Sequence, residues 1–297
     1  MARARTTRAR TAPSHTPLLE FRAAEDFRFG PANASPAAQQ SGAGGGRYLT
    51  SSRMFAEQVL ARHPEQFRIL NQARTVACLP REDWAGGRYR GRRILFLLPG
   101  QALGNNVCIL LFLQAFLEQC EPRQVGVCCA QSATDIFLTS ESITTYSLWL
   151  PREHLKRWDI VIDLGHLESR RNIELWPVDM EADLLAAFAL APCRHFGAEA
   201  RELPAGRPLN IGLLPLASSP LRTIPLGATL ALAEALGAHG RLQLCLNRDQ
   251  RQGRSYAEAL AGLLPPETAV ADGFASIGDL LRAVGEFDYI VAADSGP

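Results

Sequence analysis

"RRILFLLPGQALGNNVCILLFLQAFLE", residues 92–118, is the stretch on which the fold class turns. Arg93 to Leu98 reads as a strand, with a continuous apolar run from Ile94 to Leu98. Such a run suits a strand covered on both faces, where the polar alternation of a half-exposed sheet is lost. Pro99 to Asn106 supplies turn residues, and Val107 to Glu118 is apolar over a helical length. Strand, turn and helix together are the repeating unit of a parallel sheet, and Val125–Ala130 supplies the next strand one period later.

Working outward, Trp158 to Leu164 reads as a third strong strand and Met180–Leu190 as a helix. The alternation predicts a mostly parallel sheet with helices on both sides, spanning residues 91–203. "LPAGRPLN", residues 203–210, sets two prolines and a glycine between apolar blocks and reads as a linker. Beyond it the pattern restarts: strand Asn210–Leu214, helix Leu226–Leu236, strand Leu242–Leu246 and helix Tyr256–Leu264. A short strand at Ala269-Val270, helix Ile277–Val284 and strand Tyr289–Ala293 follow. Two Rossmann-like halves, 91–203 and 204–297, predict a cleft between domains of the kind where ligands bind.

Upstream, residues 51–90 read as a helical lead-in. Ser51 or Ser52 is its N-cap, Met54, Phe55, Val59 and Leu60 share one side, and His63-Pro64 interrupts it before a second short helix over Glu65–Arg74. Residues 1–50 end in "SPAAQQSGAGGGR" and are rich in Pro, Gly, Ser, Ala and Arg, a composition that predicts a disordered leader. The opening "MARARTTRAR" lacks the apolar core of a secretory signal. It shares the acid-poor, Arg-rich character of an organellar transit peptide or of a plain basic tail.

A net charge of +1 over 297 residues argues against broad attraction to nucleic acid or to an anionic membrane, leaving at most peripheral membrane association. Lys156 is the one lysine, and the excess of arginine reads as coding bias. The seven cysteines, at 78, 108, 120, 128, 129, 193 and 245, form no CxxC pair and sit mostly in apolar runs. Packed reduced thiols and a cytoplasmic location are expected. No charge-free apolar stretch of about 18 residues is present, which excludes a spanning helix.

Four turns follow predicted strands, at the strand ends where open α/β sheets bind ligands. Pro99 to Asn106 either brings backbone close to a ligand or is a tight strand-to-helix turn, and it lacks both the GxGxxG and the P-loop spacing. Asp163 to Arg170 places acid, imidazole and guanidinium together. There His166 is a candidate general base or acceptor-binding group, or else a solvated loop side chain. Ala217 to Pro225 holds hydroxyls and Arg222 on a loop that opens a helix, which suits a phosphate or simply caps the helix. Asp294-Ser295-Gly296-Pro297 follows the last strand as a helix start, fit for a phosphate cradle or an ordinary N-cap.

The last two turns, in their order and spacing, resemble the C-terminal domain of the glycosyltransferase family 9 heptosyltransferases. "ASSPLRTIP" matches the family loop through Ala217, Ser218, Arg222 and Pro225, with Arg for the usual Lys and Ile224 for the usual Trp. "DSGP" matches through Asp294, Ser295, Gly296 and Pro297. "RRILFLLPGQALGNN" and "WDIVIDLGHLESR" are similar to the family's earlier strands, so the resemblance covers about residues 92–297. It implies an α/β, GT-B-like fold of two Rossmann-like domains with mostly parallel sheets, the second incomplete. The end at Pro297 then reads as a truncated gene model, a fragment or a degenerate copy.

The resemblance further implies sugar transfer, with ADP-heptose the expected donor, to a hydroxyl of a glycan, lipid-linked or protein acceptor in lipopolysaccharide or related glycan assembly. No cofactor or metal is expected. Ser218, Arg222, Asp294, Ser295 and Gly296 would bind the donor diphosphate as preorganised donors. Asn105 stands where the family turn carries an aspartate read as base, and an amide cannot accept that proton. Asp163 and His166 are therefore the remaining candidates for the base. Two alternatives stay open: a catalytically inactive GT-B-like binding or assembly module, and another GT-B enzyme such as a nucleotide-sugar epimerase.

Overall fold

The computed structural model describes residues 14–29, 40–98, 103–130, 133–138, 140–165, 180–193, 206–217, 220–246, 251–272, 274 and 277–293. The chain divides into two compact units, residues 1–195 and 196–297.

Unit 1 is built on a parallel sheet of β6 (Arg93–Leu97), β7 (Gln124–Cys129), β8 (Ile143–Ser147) and β10 (Ile160–Asp163), in the order β10-β6-β7-β8. The apolar runs at 93–98 and 125–130 thus form adjacent buried strands, as the sequence predicts. Alternate residues of β6 go to opposite faces. Phe96 faces α2 (Leu103–Cys120) and α5 (Met180–Phe188), where its ring meets Phe112, Phe116 and Phe188 at 5.3–6.3 Å between centroids. The residues joining the two helices to the sheet include Trp84, stacked on Phe188 at 4.9 Å, and Tyr89, whose hydroxyl donates to the Trp84 carbonyl.

The other face differs from the expectation of helices on both sides. Leu95 and Leu97 pack there with Leu18, Leu49, Cys78 and Leu150, which belong to a second, antiparallel sheet. That sheet has the order β5-β1-β4-β9, made of β1 (Ser14–Ala23), β4 (Arg47–Thr50), β5 (Phe67–Cys78) and β9 (Leu150–Pro151). Its far side carries Phe21, Phe67, Tyr48 and Trp149 into an aromatic cluster with Phe27 of β2 (Phe27–Phe29) and Phe55 of α1 (Arg53–Gln58). β2 in turn pairs with β3 (Gln40–Gly42).

Two expectations are therefore corrected. Residues 14–29 and 40–50, read as disordered leader, are largely strands. Their few large apolar residues, too sparse to stand out by composition, all converge on these cores. The lead-in is helical over α1 and two 3-10 turns, Leu60–Arg62 and Arg81–Asp83, with Ser52 accepting from the Phe55 N–H as N-cap. The second helix expected at 65–74 is instead the start of β5, where Phe67 and Ile69 alternate into the aromatic cluster. Glu20, buried in β1, accepts from Arg152 at 3.1 Å and from Arg47 at 3.5 Å, which ties this sheet to α4 (Arg152–Leu155).

Unit 2 repeats the parallel plan. β11 (Leu209–Leu214), β12 (Gly240–Leu246), β13 (Ala269–Asp272) and β14 (Tyr289–Ala292) run in the order β13-β12-β11-β14. Ile211, Leu213, Leu242, Leu244 and Leu246 share a core with Ala233 of α6 (Leu226–Gly237) and with Ala257 and Leu260 of α7 (Arg251–Leu260). The last connection runs through α8 (Ile277–Gly285), and Tyr289 and Ile290 of β14 remain exposed.

In both units the third, second, first and fourth strands lie side by side in that order, and one device joins the first to the fourth. Asp159 donates its N–H to the Arg93 carbonyl, accepts from the Arg93 N–H, and pairs with the Arg93 guanidinium at 3.0 Å. Asp288 donates to the Asn210 carbonyl, accepts from the Asn210 N–H at 2.9 Å, and takes a two-pronged contact from Arg207 at 2.9 Å on each oxygen. The aromatic residue before each aspartate covers a glycine: Trp158 lies over Gly126, and Phe287 over Gly212. A Cβ at either glycine would run into the ring.

Gly126→Ala should displace Trp158 and lower stability by about 1–3 kcal/mol, the usual scale of overpacking, as read by urea unfolding. Asp159 supplies a pH signature. Hydrogen bonds from Arg93, first the guanidinium and then the backbone N–H, hold its carboxyl down to about 2. A depressed carboxyl stabilises the fold above its unfolded value, and that contribution disappears as pH falls from about 4 to 2. Asp159→Asn should lower the thermal midpoint at pH 7 and flatten its decline across that acid window.

Candidate functional site

In an open α/β sheet the strand order reverses between the first and fourth strands. The connections leaving their carboxyl ends diverge there and open a crevice. Unit 1 has this switch point between β6 and β10, where Asp163 lies opposite Leu97. Unit 2 has it between β11 and β14, where Ala292 lies opposite Leu214.

Two of the sequence candidates lie on the elements that flank the first switch point. Asn105, half-buried, sits in the first turn of α2, just beyond β6, and the neighbouring Asn106 is fully buried. Asp163 ends β10, and each of its oxygens accepts a hydrogen bond. The Gly165 N–H reaches Oδ1 at 2.8 Å, and the Thr16 hydroxyl reaches Oδ2 at 2.6 Å. Thr16 accepts in turn from the Cys78 thiol at 3.4 Å. Burial pushes that thiol up, and the charge of Asp163 adds to the effect, so Cys78 stays a proton donor. Asp163 is thus engaged in fixing the turn after β10 and in fastening β1 and β5 to it. Composition gave no sign of Thr16, because its role comes from a strand pairing some 60 residues away, opposite Val76.

His166 lies outside the described residues.

At the second switch point Arg222 is exposed on the loop that leaves β11. The loop is braced at three places. Ile224 donates its N–H to the Pro215 carbonyl at 2.9 Å, the Ala217 N–H donates to Thr223 Oγ1 at 3.1 Å, and the Tyr256 hydroxyl donates to the Ile224 carbonyl at 2.6 Å. Tyr256 has one hydroxyl proton to give, so its 2.6 Å contact with Thr229 Oγ1 is donated by the threonine. α6 then starts after Pro225, and its first N–H groups have no partner within the helix. Leu221, beside Arg222, is 97% exposed.

The other loop leaves β14 at Ala293, whose N–H donates to the Leu214 carbonyl at 2.9 Å. Residue 294 follows directly. Ser218, Asp294, Ser295 and Gly296 lie outside the described residues. Sequence reading singled out Arg222 but missed Thr223 and Tyr256; a tyrosine in an otherwise polar stretch of α7 was the available signal. Among the described residues no group of three His, Cys, Asp or Glu side chains is placed to hold a metal ion. No helix among them is long and apolar enough to cross a membrane.

No family model matches this sequence, and no curated protein matches it. Solved structures do. A glycosyl transferase family 9 structure from Veillonella parvula DSM 2008 is similar with a TM-score of 0.52 and 14% identity, over 70% of this chain and 77% of that one. E. coli heptosyltransferase WaaC with ADP gives 0.49 and 12%, over 68% and 82%. E. coli ADP-heptose lps heptosyltransferase II gives 0.45 and 14%, over 69% and 80%. The first of these, together with the two parallel sheets, shows the architecture: the chain has the α/β, GT-B-like fold of a family 9 glycosyltransferase.

Proposed function

We propose that the chain is a glycosyltransferase that takes a sugar from a nucleoside diphosphate donor bound at the switch point of unit 2. The observation that carries this reading is the adjacency of β11 and β14. The loop bearing Arg222 follows β11, and the chain passes from β14 to residue 294 at the same end of the neighbouring strand, so both segments can meet one diphosphate.

In this reading the guanidinium of Arg222 takes phosphate oxygens in a two-pronged, charge-assisted contact. Ser218, the Ser295 hydroxyl and the backbone of Gly296 add further donors, and Asp294 orients the sugar or a backbone amide. Preorganised donors of this kind stabilise the charge that grows on the leaving diphosphate as the sugar–oxygen bond breaks. The bracing by Thr223 and Tyr256 lowers the cost of aiming Arg222, because the residue that follows it is held at both its side chain and its neighbour's carbonyl. ADP-heptose is the first donor to try, on the strength of the Ala217-Ser218…Arg222 and Asp294-Ser295-Gly296 motifs. The acceptor is a hydroxyl of a glycan, a lipid-linked glycan or a protein. Free thiols at all seven cysteines fit the cytoplasm as the compartment.

The acceptor hydroxyl must lose a proton. Asn105 is an amide, and Asp163 holds Thr16 and Gly165. We assign Asp163 a positioning role and leave His166 as the candidate base. One observation favours a second reading, a sugar-nucleotide binding module without transfer: the carboxylate at the first switch point serves the fold.

Calorimetric titration with ADP or ADP-heptose tests the donor site. Arg222→Ala should weaken binding by roughly 1.5–3 kcal/mol, the scale of a charged hydrogen bond, and unchanged affinity would remove the assignment. Asp163→Asn separates the roles in unit 1. The amide keeps an oxygen for the Gly165 N–H, so a positioning role predicts that most sugar transfer survives, whereas loss of transfer with donor affinity intact would make Asp163 the base. Binding with no transfer to any acceptor would favour the module.

A further inference from the structure

One rung of the antiparallel sheet in unit 1 carries arginine on three adjacent strands. Arg22 of β1 lies opposite Arg47 of β4 on one side and opposite Arg68 of β5 on the other. Directly opposed residues project from the same face of a sheet, so the three side chains stand abreast, in a row about 10 Å wide at the usual strand spacing. All three are exposed. Arg47 makes a 3.5 Å contact with the buried Glu20, which Arg152 also holds, while Arg22 and Arg68 have no ion-pair partner among the described residues.

Like charges set directly opposite one another destabilise a sheet. Three guanidinium groups on one rung, only one of them in contact with a carboxylate, repel one another, and an anionic partner would relieve that repulsion. We propose that this rung is a docking surface for an acidic segment of a protein partner, independent of the sugar-transfer reading. The shape of the charge selects that partner. The exposed acids Glu25 and Glu65 each lie three residues along the chain from one of the three arginines, Arg22 and Arg68 respectively. A membrane or a duplex presents a broad anionic surface and would meet those acids too. An acidic peptide can align its carboxylates along the narrow row alone, each arginine accepting one in a two-pronged contact.

The test is fluorescence anisotropy of a labelled oligoglutamate peptide titrated with the full chain, alongside the double variant Arg22→Gln, Arg68→Gln. Binding should weaken about tenfold in the variant, the effect of two partly exposed ion pairs, and should fall with added salt. The thermal midpoint of the variant should hold or rise, because repulsion is removed. The charge-reversed pair Arg22→Glu, Arg68→Glu should bind oligolysine in place of oligoglutamate. Equal affinity of wild type and variant for oligoglutamate would overturn the proposal. So would a variant midpoint that falls, which would make the arginines part of the fold. Tighter binding of wild type to phosphatidylserine vesicles or duplex DNA than to oligoglutamate would also overturn it.

Discussion

Asp288 joins the fourth strand of its sheet to the first by two hydrogen bonds of opposite sense, one from its own N–H and one to its carboxylate. Asp159 makes the same pair of bonds in the other unit. Each carboxylate is also gripped by an arginine, so the contact is charge-assisted and directional. In a parallel sheet the fourth strand arrives after a long connection, and nothing local sets its register. The aspartate sets it, and a ring before it, Trp158 or Phe287, closes over a glycine beneath. A slip of one residue would invert every side chain of the strand. Leu97 and Asp163, or Leu214 and Ala292, stand opposite one another in the register that this clamp fits.

The two units then differ in what surrounds that common frame. In unit 2 the core face is closed by α6 and α7, and a tyrosine from α7 reaches back to the loop bearing Arg222. In unit 1 one face is closed by helices and aromatic rings, the other by an antiparallel sheet drawn mostly from the first 80 residues. That sheet does more than cover apolar surface. Through Thr16 and Cys78 it reaches the carboxylate at the end of β10, and Leu79 donates its N–H to the Val161 carbonyl along the same strand. The end of β10 is therefore held by segments that the sequence reads as disordered leader or helical lead-in.

That contrast shows how far the amino-acid sequence could be read. β6, β7, β10 and α2 were legible because each is a continuous apolar run whose neighbours lie one strand-plus-helix period away. The turns after these strands followed from the same alternation, whereas the strand order that makes two of them switch points did not. β1 was not legible. It contains Pro17, tolerated because β1 pairs there only with β5, and a register shift between Leu18 and Glu20 hides its period of two. β5 was read as helix since its polar middle, Asn71-Gln72-Ala73-Arg74, favours no strand. Its pairing with β1 across some 50 residues overrides that local preference. At the site, Arg222 could be found from a motif, but Thr16, Thr223 and Tyr256 act through tertiary contacts without a motif of their own. Trp158-Asp159 and Phe287-Asp288 each precede a strand, and only the hydrogen bonds of the fold give the two pairs a meaning.

The central claim is that two loops at the carboxyl end of β11 and β14 close on one diphosphate. Amide hydrogen exchange of the full chain with and without ADP addresses it directly. Protection should appear together in peptides covering 215–228 and 289–297, with little change over β1 to β5. Protection confined to unit 1, or to only one of the two loops, would contradict the account.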